Sequence, residues 1–224
     1  VHLLSQELYQ TIITLSVVSS LIAKEKYKLI NKLGSPVTVK TPSGSSYETK
    51  VLVGRATQLS SSILSLESTR RCYFLPDVDI DNGYIVENTV TGDTYLAIAM
   101  YPEEYNGKLL SRASIMYICN AIVDIYSVTD SYDEYGNKTP KRNSVVSDAP
   151  CYVQRVSADL RRYDPGLHED AEDVIYLQGC NVGLMDTIEL KNVTPSKKVK
   201  AVDINNYLFA GVTRIQVKSE TRNA

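Results

Sequence analysis

Along the first thirty-odd residues, apolar side chains recur at helical spacing. Leu4, Leu8, Leu15 and Ile22, then Leu29 and Leu33, fall four and seven residues apart, and neither Gly nor Pro occurs before Gly34. The spacing predicts a helix from about Ser5 to Leu33, ended by Gly34. Ile13, Val17 and Leu21 widen its apolar stripe, so the helix must cover that stripe with its own body, a neighbouring copy or a partner, packing in cis being the default. From Pro36 onward the period changes to short β-branched runs between Gly, Pro and Asn punctuation. Val37–Val39, Thr49–Ala56, Tyr73–Leu75, Tyr84–Val90, Tyr95–Met100 and Ile115–Asp124 read as strands, with a turn at Thr91-Gly92-Asp93 and a loop ending at Gly107. Gln58–Ser68 fits a loop or a short helix equally well.

The same order then returns. Val128, Cys151–Val156, Val174–Leu177, Thr187–Leu190, Val199–Ile204 and Thr213–Val217 read as a second set of strands, and Asn88 and Asn192 stand 104 positions apart (192−88). At that offset Val78 faces Val182, Val86 faces Leu190, Tyr95 faces Val199, Ala97 faces Ala201, Ile98 faces Val202 and Gly107 faces Gly211. Upstream the offset drops to 100, laying Leu52–Arg55 over Tyr152–Arg155. One β module is thus written twice. The expected architecture is mainly β: an N-terminal helix over residues 1–34, then two similar small antiparallel β-barrel or sandwich modules, 35–125 and 126–224. Strands of four to eight residues with no crossover helix between them require an antiparallel arrangement.

Composition adds little to this and removes much. With 16 Tyr, 2 Phe and no Trp, the aromatic surface is amphipathic, which suits either contact faces or simply strands. A net charge of −2 offers no general footprint for nucleic acid. Arg70-Arg71, Arg161-Arg162 and Lys197-Lys198 are short pairs in expected loops. Cys72, Cys119, Cys151 and Cys180 contain no Cys-x-x-Cys and lie at no metal-ligand spacing from a His, so reduced cysteines inside strand-rich cores, made in a reducing cytoplasm, are the expectation. The apolar stretch Ile12–Ala23 precedes the first basic residue and is too short to span a bilayer, so neither a signal peptide nor a membrane segment is expected.

The chemical constellations fail one by one. Asp77-x-Asp79-x-Asp81 resembles a calcium loop but has Asn82 where Gly is needed and Asn88 where Glu is needed. A strap with Val78 and Ile80 inward and its carboxylates in water accounts for it. His2 and His168 cannot complete a nucleophile–base set, and no phosphate-cradling Gly motif is present. The expectation is a protein that is not an enzyme and needs no cofactor or metal. The longest polar interruption, Asp130–Asp148 with Tyr132 and Tyr135, stands where the first copy has a short loop after Val39, and loops this long are either functional or disordered.

Leu33–Val39 following a helix, then a turn-rich loop and strand, resembles the start of the head-completion (head–tail connector, or neck) proteins of tailed bacteriophages. Asp186–Leu190, Val199–Asp203, the Tyr207–Gly211 loop and a last charged strand into Arg222 resemble their end. Typical members have one barrel, so the tandem copy departs from the pattern. The resemblance implies a structural virion protein: a homo-oligomeric ring at the neck, joining portal or adaptor ring to tail proteins, with non-specific contact to packaged DNA and no membrane. On that reading Tyr132, Asp133, Glu134 and Tyr135 contact a neighbour, as do Arg161, Arg162, Arg214, Lys218 and Arg222. The alternatives are a tail-terminator, collar or baseplate protein, or a cytoplasmic tandem-barrel binding module for nucleic acid or peptide.

Overall fold

A computed structural model describes residues 2–55, 68–132, 134–135, 137–192 and 197–220, with the backbone alone for 2–16, 130, 132 and 138–140. An N-terminal helix, α1 (His2–Leu33), is followed by two closed antiparallel barrels of six strands each. The first contains β1 (Ser35–Lys40), β2 (Ser46–Arg55), β3 (Thr69–Phe74), β4 (Ile85–Asn88), β5 (Thr94–Tyr105) and β6 (Lys108–Ile118). The second contains β7 (Ala121–Tyr132), β8 (Lys138–Arg155), β9 (Asp173–Gln178), β10 (Thr187–Leu190), β11 (Lys197–Asn205) and β12 (Val212–Ser219), with a short helix α2 (Ala158–Tyr163) between β8 and β9. Around the first barrel the strand order is β1-β2-β3-β6-β5-β4, and around the second β7-β8-β9-β12-β11-β10. These are one topology used twice. The segment Gln58–Ser68, open between loop and helix, falls outside the described residues except for Ser68.

The doubling extends to irregularities that composition cannot produce by accident. β5 carries a bulge between Ala97 and Ala99, and β11 carries one between Ala201 and Asp203, so Ile98 and Val202 are corresponding extra residues at the offset of 104. Gly107 (φ 74°) and Gly211 (φ 70°), also 104 apart, both turn the chain in the left-handed region. The offset is not uniform, however. Val86 pairs Tyr95, and Ile188 pairs Val199, so Val86 corresponds to Ile188 and not to Leu190, the β10–β11 connection being two residues longer. Across β2 and β8 the offset of 100 holds: Val51 pairs Phe74 as Cys151 pairs Leu177. Instead of a loop ending at Gly107, β5 and β6 are joined by a two-residue turn, Asn106-Gly107, both with positive φ, the pairing that best matches hairpin twist.

Each barrel fills its own interior. Val37, Val39, Val51, Cys72, Phe74, Val86, Tyr95, Ala97 and Met116 pack the first, with Val78 and Ile80 of the aspartate strap closing it while Asp77, Asp79 and Asp81 stay exposed. Val123, Ile125, Cys151, Ile175, Leu177, Ile188, Leu190, Val199, Ile215 and Val217 pack the second. The chain passes between barrels across Cys119-Asn120, so β7 starts the second barrel at Ala121, ahead of the expected division at 125/126. Asn120 fixes this crossing, its side chain accepting from the Val153 N–H and donating to the Val153 carbonyl at 2.8 and 2.9 Å.

A third core joins the barrels. Ile85, Leu96 and Ile98 point outward from the first barrel onto Tyr152, Val174, Tyr176 and Val212 of the second. The rings of Tyr117, Tyr152 and Tyr176 lie 4.6 to 6.1 Å apart, with Phe209 6.4 Å from Tyr176. Beside them the backbones touch. A Cβ on Gly83 (φ 80°) would fall on the Gly211 carbonyl oxygen, and one on Gly211 would stand 2.5 Å from that of Asn82. Gln178 donates to the Gly83 carbonyl at 2.9 Å, and the Gly179 N–H to that of Gly211 at 2.8 Å.

Candidate interaction surfaces

Two projections leave this two-barrel body. The first is an arm. β7 and β8 run far beyond the barrel wall, pairing from Tyr126↔Ser144 out to Tyr132↔Lys138. The polar interruption read as a loop is therefore a β-hairpin, because β-branched and hydroxyl residues on both sides can pair once the register is set. Val128 (45% exposed), Val145 and Tyr135 (88%) stand in solvent, as do Lys141, Arg142 and Glu134. In the first barrel the corresponding β1 and β2 end at Lys40 and Ser46, with no such extension.

The arm is braced at its base by a buried carboxylate. Asp124 accepts from the Asp148 N–H at 2.8 Å and from the Tyr126 hydroxyl at 2.9 Å, and pairs with Lys191 at 2.5 Å. Asp148, itself held by Lys191, sits at φ 52°, where β8 is irregular against a β7 bulge. Burial pushes the Asp124 carboxyl up, but the Asp148 N–H, Lys191 and Tyr126 outweigh it and hold the group below the usual carboxylate range. A depressed folded value means the bracing is complete above the unfolded carboxylate range, near 4, and is lost as pH falls through the lower folded value. The protection of the amides of β7 and β8 beyond Tyr126, relative to their intrinsic exchange rates, is therefore expected to fall below about pH 4 in wild type. Asp124→Asn should show fast exchange already at neutral pH; equal protection in the two proteins at pH 7 would refute the bracing role.

The second projection is α1. One narrow face, Ser19, Ala23, Lys26 and Ile30, lies on β2, β5 and β6. Ile30 is fully buried, Lys26 pairs with Glu103 and sits 4.7 Å over the Tyr73 ring, and Lys108 donates to Ser20 at 3.0 Å. Lys50 and Gly34 close the C-terminus on the Asn31 and Ile30 carbonyls. The widened stripe does not pack in cis: Val17 (61% exposed), Val18, Leu21, Ile22, Leu29 and Leu33 all face solvent. The default expectation of packing on the helix's own barrel is corrected for these residues, because the barrel below receives small and long-stemmed side chains instead.

The basic residues expected at an interface divide. Arg214 is only 4% exposed, paired with Asp164 beside Tyr176 in the seam between barrels, so it serves the fold and not a partner. β12 is covered on its outer face there, which an alternating strand pattern does not reveal. Arg161, in α2 instead of a loop, holds the His168 and Ala171 carbonyls at 3.2 and 2.6 Å, while Arg162 is exposed. Lys218 is half-exposed and pairs with Asp170 at 3.0 Å. Glu134 and Tyr135 lie at the arm tip, Tyr132 is placed there by its backbone, and Asp133 and Arg222 lie outside the described residues.

Between the barrels runs a polar cleft of about 740 Å³ whose lining includes Lys40, Glu87, Asn120, Asp148 and Gln178. Lys40 pairs with Glu87 at 2.6 Å and Asp148 with Lys191 at 2.7 Å, while the Asp93 carboxylate, also in the lining, accepts from the Thr91 and Tyr95 hydroxyls. Burial pushes the Cys72 and Cys119 thiols up to about 12 and raises Cys151 and Cys180 as well, which keeps all four protonated at neutral pH. Among the described residues no group of three or more His, Cys, Asp or Glu is placed to hold a metal ion, and no helix is long and apolar enough to cross a membrane. No known protein-family model matches this chain, and no curated protein matches it significantly.

Proposed function

We propose that the chain is a structural subunit that assembles with copies of itself into a ring, and that the ring belongs to the neck of a tailed-phage particle. The arm is the observation that carries the self-assembly. An isolated two-stranded ribbon is marginal in water, and one standing off a closed barrel with apolar and charged side chains in solvent gains stability by lying on a neighbour. A closed barrel leaves no free strand edge in its wall, so the arm also supplies edges for strand addition. Contact between an arm and a different surface of the next copy is heterologous, and such contacts form a ring where the rotation between copies closes and an open filament where it does not. The assignment to a phage neck rests on the sequence resemblance at Leu33–Val39 and Asp186–Arg222, with a tail-terminator, collar or baseplate ring as the neighbouring reading.

A binding module is the second reading, favoured by the cleft, although Lys40, the cation in its lining, is already paired with Glu87 and leaves little to attract phosphate. The test replaces residues 128–142 by a tight turn. Negative-stain electron microscopy is expected to find rings for the full chain and none for the variant, with both barrels still folded. Immunogold labelling of particles from the source is expected to fall between head and tail. Label at the distal tip would move the ring to the baseplate, and unlabelled particles would overturn the virion reading.

A further inference from the structure

The exposed side of α1 carries a seven-residue repeat. Leu8, Leu15, Ile22 and Leu29 are spaced by seven, and Leu4, Thr11 and Val18 precede them at three- or four-residue spacing. Such a line is straight only along a supercoiled helix pair, where each apolar knob enters a hole between four residues of a facing helix. In the structure this line runs beside the row that meets the barrel and is left uncovered by it. Val18 (38% exposed), Ile22 (38%) and Leu29 (47%) are open to solvent along the flank of the helix, about a quarter-turn from the anchoring residues Ser19, Ala23, Lys26 and Ile30, so a second helix can lie beside α1 without displacing the barrel. The backbone places Leu8 and Leu15 on the same row as Ile22 and Leu29.

We infer that α1 pairs with the α1 of a second copy, antiparallel, through this seam. The occupant follows from what the seam demands: a helix of comparable length with a matching apolar row. The other helix described, α2, has six residues and buries none of them. Charge sets the direction. Up to Ala23 the helix has one charged residue, Glu7, whereas Lys24, Glu25, Lys26, Lys28 and Lys32 crowd its last turns. A parallel pair would align lysine with lysine and place Glu25 against Glu25 and Lys32 against Lys32 in the seam. An antiparallel pair lays each basic end along the nearly uncharged, Glu7-bearing end of the other. This contact is isologous and independent of the arm, so it stands whether or not the chain belongs to a virion.

The experiment uses the full chain at micromolar concentration. Sedimentation equilibrium of wild type against Ile22→Glu/Leu29→Glu is expected to show loss of one two-fold association step, with the β-sheet circular dichroism of the barrels retained because both positions are exposed. Val17→Glu, more exposed and off the seam, should associate like wild type. A spin label at Lys32 should report a separation of about 35 Å or more between copies in an antiparallel pair, given about 1.5 Å rise per residue, and far less in a parallel one. A monomeric wild type, a double variant that associates normally, equal loss in Val17→Glu, or a short label distance would each overturn the inference. If arm truncation abolishes rings while the helix step persists, the two contacts are separate; persistence of rings after truncation overturns the arm reading alone.

Discussion

Gly83→Ala is expected to destabilise the two-barrel body by about 3 kcal/mol or more. At φ 80° an alanine pays the left-handed backbone penalty, about 1–2 kcal/mol, and its Cβ would meet the Gly211 carbonyl oxygen, a backbone atom that cannot swing aside. Relieving that overlap requires the barrels to part, opening the seam of Tyr117, Tyr152 and Tyr176, and overpacking of this kind costs about 1–3 kcal/mol further. Gly92 supplies the control, since it has φ 76° and nothing within 4 Å of a built Cβ. Gly92→Ala should therefore lose only the backbone share. Urea denaturation of both variants gives the difference, and equal losses would mean that the barrels do not meet at Gly83. Splitting of the Gly83→Ala transition into two would show the barrels unfolding separately once the seam is open.

The second large effect is expected at the Arg214–Asp164 pair. The Arg214 side chain is 5% exposed, its Nε finds no partner, and Asp164 neutralises it from the turn after α2. Removing one member of a buried ion pair leaves an uncompensated charge, so Asp164→Ala is expected to cost about 3 kcal/mol or more. Arg214→Met removes the buried charge together with its desolvation penalty and should cost less. Adding Arg214→Met to Asp164→Ala should therefore recover most of the loss. A double variant as unstable as Asp164→Ala alone would show that Asp164 acts by holding α2 and not by neutralising Arg214. The charge left behind in Asp164→Ala is the buried Arg214, 5% exposed against 29% for Asp164, so moderate salt should change that loss little.

The candidate surfaces were partly legible beforehand. The polar run after Asp130 marks where the second copy departs from the first, and it did lead to the arm and to Glu134 and Tyr135 at its tip. That the run is paired strand required the register of Tyr126–Tyr132 against Lys138–Ser144, a long-range fact. The helix was legible from spacing alone, but its orientation was not. A stripe wide enough to face either the barrel or a neighbour does not say which side the barrel will take, and here Ser19, Ala23, Lys26 and Ile30 took that place.

The amino-acid pattern by itself determined the N-terminal helix, the strand-and-turn character of the remainder and the writing of one module twice, because helical and strand periodicity and turn chemistry are local. Bulges and turn glycines recur at matching places because each copy solves the same closure problem. Tertiary structure alone decided which outward-facing residues are wet. β9 is buried along Asp173–Leu177, and β12 from Val212 to Val217, on both faces, so the in–out alternation that marks a half-buried strand does not distinguish Tyr176 or Arg214 from a solvent-facing neighbour. Which outer face of a barrel is covered depends on where the second barrel docks. That is set by the close approach of Gly83 to Gly211, residues far apart in the chain and brought together only by the fold.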